Sequence, residues 1–290
     1  RDRSPSRGLG DVYKRQHYGC RVCPFLLVYL FRQILNLVIM QYSVIEVSPN
    51  IRLATDEAFG DFNVYIVKET LCYVDMTFSD ALQIPCSSID KCTVRYNYFK
   101  DNPMCSNLGN DRIIYLHTRG DFWCQWIYQF AHEYCHHIIN GTMTSELSGL
   151  MWFEESVCEL ASMYNLNSLF RIWSQYPQSV QRHYAPSFQD YLNDLLAKNP
   201  ELYASTLHPK FLQSWDSLLR GNVYHRDHYN AIAARMFPLF LENPYLWKMI
   251  LHIGDSRQWN SLEELFAHLE RNADDSYSDS LIQLKNLLIP

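Results

Sequence analysis

The sequence predicts an α+β fold, with a mostly antiparallel sheet in its N-terminal part and a helical C-terminal part. Strand-forming residues dominate from Met40 to about Thr118, and after Asp121 the hydrophobic spacing turns helical and stays so to the end. Composition agrees with a large core. Of 290 residues 48% are hydrophobic and 14% aromatic, with only 10 Gly and 12 Pro, which excludes disordered, fibrous and low-complexity classes.

Taken in order, the expected strands are 41–48 (QYSVIEVS), 62–69 (FNVYIVKE), 92–99 (CTVRYNYF) and 112–118 (RIIYLHT), each rich in Val, Ile, Tyr and Phe. Pro49-Asn50, Gly60-Asp61 and Gly109-Asn110 punctuate them, and 79–90 suits a short helix. Helices are expected at 122–140, 149–165, 187–198, 209–220, 227–242, 244–253, 261–272 and 278–288, with Asn140-Gly141, Gly221-Asn222 and Pro244 as breakers. No internal repeat is present. The chain therefore divides into a leader (1–39), a β-rich subdomain (40–121) and a helical subdomain (122–290).

The leader is set apart because Ser6 to Gln16 (SRGLGDVYKRQ) resembles a translated sequencing adapter, which makes Met40 the expected start. Its apolar run from Pro24 to Met40 has 17 residues with Arg32 near the middle, a poor membrane span. Residues 1–39 hold seven basic and two acidic side chains, so the remainder carries 18 basic against 29 acidic. Such an acidic body argues against a nucleic-acid partner, since phosphate binding rests on Lys and Arg. Nine scattered Cys, an odd number, suggest reduced thiols and a cytoplasmic protein.

The chemistry gathers in the 122–140 helix, where Trp123, Ile127, Phe130, Tyr134 and Ile138 form an apolar stripe. Asp121 is its expected N-cap and Gly141 its expected stop. Within it, HEYCH (132–136) sets His132 and His136 one turn apart, able to grip one Zn²⁺, with Glu133 beside them as general base. Alone, the pattern also fits two solvated histidines. After 18 further residues comes Glu155 in WFEESVCELAS, a third ligand from a second helix, and two His plus one Glu leave an open position for water. Glu159, four residues on, is suited to orient a ligating His. Glu154 takes the ligand role if that helix is rotated.

HExxH, this gap and W-F-E-E resemble the gluzincin superfamily of zinc metallopeptidases, most closely its aminopeptidase N-like branch, with Glu154 where that branch has Asn. The resemblance covers 112–162 securely and 112–232 loosely, and it implies a zincin-like fold with the active site between sheet and helices. It also implies a substrate-pairing edge strand before the zinc helix, for which Ile113, Ile114, Tyr115 and Leu116 are placed. From the same branch comes an oxyanion-donating Tyr at a downstream helix start, preceded by another Tyr five residues earlier. Tyr229 after Tyr224 has that spacing, with His225 and His228 in reserve. The branch's Gly-x-Met-Glu-Asn segment is missing, so aminopeptidase specificity is not implied.

The expected function is a cytoplasmic zinc peptidase acting on peptide or protein substrates, with no nucleic-acid or membrane partner. Two readings compete with it. One is a regulatory metallopeptidase with a narrow target; the other is a zincin-fold interaction protein without catalysis.

Overall fold

A computed structural model describes residues 43–106, 112–141, 150–208, 210–221, 224–254 and 259–289. The leader and its adapter-like stretch lie outside them. The first elements are strands β1 (Ser43–Glu46) and β2 (Ile51–Thr55), an antiparallel hairpin closed by Val47 N–H donating to the Ile51 carbonyl at 2.9 Å. Helix α1 (Val64–Leu82) then crosses to β3 (Cys92–Tyr96), which runs parallel to β2. Strands β4 (Met104–Ser106) and β5 (Ile113–Leu116) complete a five-stranded sheet of order β1-β2-β3-β5-β4.

The sheet is mixed rather than mostly antiparallel. Its two inner pairings, β2–β3 and β3–β5, are parallel, and only the outer pairings, β1–β2 and β4–β5, are antiparallel. A parallel step needs a long crossover, which α1 supplies.

The 62–69 strand expectation fails for the same reason. Asn63 accepts from the backbone N–H of Tyr65 (3.1 Å) and Ile66 (3.2 Å), starting α1 where a strand was expected. Ile66, Val67, Thr70, Leu71, Val74 and Phe78 are buried at three- and four-residue spacing, and that periodicity outweighs β-propensity. Strands β2 and β4 lie in stretches where none was expected.

The helices follow the sheet. They are α2 (Trp123–Gly141), α3 (Met151–Ser174), α4 (Val180–Ala197), α5 (Pro200–Thr206), α6 (Phe211–Gly221) and α7 (Arg226–Glu242). A 3₁₀ turn at Pro244–Met249 leads into α8 (Ile250–Ile253), then α9 (Leu262–Asn272) and α10 (Ser278–Leu288). Helix α3 outruns its expected end, α4 begins before its expected start with Pro186 inside it, and α5 was not expected. Among the described residues no helix is long and apolar enough to cross a membrane.

Helix α3 is the centre of the molecule. Val157, Leu160, Ala161, Met163 and Leu166 are all buried, pointing round the whole helix, because α3 packs against α2, α4 and α7 together. Sheet and helices share one core, running from Val47 to Leu288.

Helix α2 is seated by short-range devices. Gly120, at φ +56, donates to the Phe59 carbonyl at 2.7 Å, a close approach in a left-handed conformation that suits glycine. Gln129 both accepts from His117 N–H (2.8 Å) and donates to the His117 carbonyl (2.9 Å), so its amide latches the helix to the end of β5. Asp121 does not cap α2 with its side chain; its carboxylate accepts from Asn63 N–H at 2.9 Å and ties the two helix starts together.

Candidate metal centre

His132 and His136 are four residues apart on α2, with ring centroids 5.0 Å apart in an edge-on arrangement. Glu155 on α3 meets both. Its Oε2 is 3.4 Å from His132 Nε2 and its Oε1 is 3.5 Å from His136 Nε2. The three candidate ligand atoms all lie within 4.8 Å of one another. Two imidazoles and a carboxylate gathered this closely could hold a metal ion. The neighbouring His137 is turned away, its Nε2 2.8 Å from the Asp90 carbonyl.

The far nitrogens of both rings also meet carboxylates. His136 Nδ1 is 2.8 Å from Glu154 Oε1, and Glu154 is fully enclosed. This role was not read from the sequence, where Glu154 stood as a rival ligand; three Glu within six residues of a largely apolar helix were the available signal. His132 Nδ1 is 3.8 Å from Glu159 Oε2, too long for a hydrogen bond, and it is buried without a hydrogen-bond partner. Glu159 is held from the other side. Tyr128 O–H reaches its two oxygens at 3.0 and 2.7 Å, and Asn230 donates at 3.4 Å.

Charge and burial oppose each other here. Burial favours the neutral carboxyl of Glu155, but the His136 and His132 imidazoles outweigh it and hold the group well below the usual carboxylate range. Burial likewise works against a charged His136, and Glu155 with Glu154 reverses this, lifting its pKa well above that of an ordinary imidazole. The site as built draws positive charge between two helices.

A narrow cleft of about 20 Å³ lies beside His132 and Glu155. Glu133 and Tyr229 line it beside His132, Glu155 and Glu159, and both are buried. Burial, together with the nearby Glu155 charge, keeps the Tyr229 phenol protonated, as burial and Glu159 do for Tyr128. Tyr224 stands 78% exposed and outside this lining. The reserves His225 and His228 pack edge-on against each other, with His228 on Trp215, and do not line the cleft either. A larger hollow of about 380 Å³ beside Lys210 and Arg220 shares none of these residues.

One expectation about the site is overturned. Ile113, Ile114, Tyr115 and Leu116 form β5, which is paired on both sides, to β3 and to β4, and so offers no edge to a substrate. The edge on this side is β4, and Pro103, immediately before it, lines the cleft.

No protein-family model matches the chain, and comparison with curated proteins gives no match. The geometry therefore stands alone.

Proposed function

We propose that the chain is a zinc-dependent peptidase of the gluzincin type, with His132, His136 and Glu155 as ligands. The observation that carries this reading is the gathering of those three side chains from two helices, with His132 and Glu155 lining a cleft beside the buried Glu133. The mixed sheet, followed by the histidine-bearing helix, is consistent with a zincin-like arrangement. Zinc at such a donor set supplies an acidified water and a Lewis acid for a carbonyl oxygen.

The chain's own groups do the rest. Glu133 accepts the proton of the attacking water and returns it to the leaving amine. Tyr229, kept protonated, donates to the carbonyl oxygen as charge develops there. Glu154 fixes His136 through Nδ1, so that Nε2 is free to ligate, and Glu159 stands ready to do the same for His132. An extended peptide aligns on the edge of β4 by backbone hydrogen bonds. The nine scattered cysteines, odd in number, favour a reducing compartment such as the cytoplasm.

The test is hydrolysis of a broad peptide library by zinc-loaded protein. Glu133→Gln is expected to abolish most of the rate, and Tyr229→Phe to lower turnover by about a hundredfold to a thousandfold with little change in KM. A zinc-replete wild type that leaves the library uncut contradicts the proposal and favours a non-catalytic zincin.

A further inference from the structure

The cleft has an unusual charge pattern at one wall. Three of its lining residues, Glu133, Glu155 and Glu159, are carboxylic acids, and apart from His132 its single basic residue is Arg226. Arg226 is the first residue of α7, three before Tyr229, so the two side chains lie on the same face of that helix. Its guanidinium is close enough to act electrostatically on the Tyr128 phenol across the cleft.

What matters is that none of the acids nearby claims it. Among the described residues Arg226 forms no ion pair with Glu133, Glu155 or Glu159; Glu155 meets the two histidines, and Glu159 is held by Tyr128 and Asn230. The acid next to it in the chain, Asp227, is turned to α4, pairing with Lys198 at 3.3 Å and accepting from Asn199 at 3.3 Å. Arg226 is exposed at the mouth of the cleft, presenting a planar fork of donors that matches a carboxylate.

We propose that Arg226 is a specificity-determining residue that receives a peptide carboxylate beside the bond to be cleaved. The carboxylate is either an Asp or Glu side chain or a free C-terminus, since both present the same two oxygens. A neutral or basic residue at that subsite leaves the guanidinium without a partner, and a basic one adds repulsion. The inference depends on the peptidase reading for the position of the scissile bond, through the three-residue spacing to Tyr229.

The test reads binding rather than turnover. Full-length protein carrying Glu133→Gln is loaded with zinc and titrated with four fluorescent pentapeptides: a neutral amidated peptide, the same peptide with one Glu, the same peptide with one Lys, and the neutral sequence with a free carboxylate. One or both acidic probes are expected to bind about fivefold to tenfold more tightly than the neutral one, and which does so identifies the source of the carboxylate. Adding Arg226→Gln removes the preference, Arg226→Lys keeps only part of it, and Arg226→Glu transfers it to a peptide bearing Lys. A preference that survives Arg226→Gln, or no preference in the parent, overturns the proposal. Zinc content measured on the same samples is a separate result: a chain without zinc refutes the peptidase reading, while the carboxylate preference still stands or falls on Arg226.

Discussion

Glu154 and Glu155 are neighbours in the chain with different tasks, because a helix turns by about 100° per residue. Glu155 faces both Nε2 atoms across the cleft, whereas Glu154 is enclosed behind His136. The pair His132 and His136 was legible in the sequence, since a spacing of four on one helix is a purely local matter. The third member of the cluster was less so. Spacing and resemblance pointed to Glu155, but the rotation of α3 about its own axis is decided by packing on three sides, which no local pattern records. In this account Glu154 orients a ligand without being one. Glu154→Gln is therefore expected to leave zinc bound at saturation while weakening its affinity about 10- to 100-fold, measured by chelator competition. Loss of stoichiometric zinc in that variant would make Glu154 itself the ligand.

At the scale of elements, the C-terminal helices were read better than the strands, while α1 reads as a strand at its start and α5 was not foreseen. The starts of α7, α9 and α10 match expectation to within a residue, because each carries a long apolar stripe. Strand β4 has three residues and no alternation to display, so the inner position of β5 could not be seen. The seating of α2 was equally hidden. Behind the helix face that bears His132 and His136, Tyr134 O–H donates to Asp75 Oδ1 at 2.6 Å, and Asn50 donates to the same oxygen at 3.1 Å, joining α2, α1 and the β1–β2 turn. All three side chains are buried, and Asp75 Oδ2 has no partner. Tyr134→Phe leaves this carboxyl with one donor fewer and is expected to destabilise the fold by about 1–3 kcal/mol in urea titration. A change below about 0.5 kcal/mol would show that the contact contributes little to holding α2 in place.

For the whole molecule, one core among the described residues links sheet and helices from Val47 to Leu288. A chain shortened to residues 40–290 is expected to melt at the same temperature as the full chain. A drop of several degrees would mean that the apolar run at 24–39 packs onto this core. The acidic surplus beyond residue 39 remains a property of the body as a whole, and against it Arg226 is a local exception at the cleft.

The central claim is that two helices meet to hold a metal, and zinc content tests it most directly. Purified full-length protein, saturated with zinc and freed of excess, is expected to retain close to one ion per chain. Glu133→Gln retains it, and Glu155→Ala loses it, because only the latter removes a ligand. Wild-type protein that retains no zinc, or Glu155→Ala protein that retains it fully, would contradict the account.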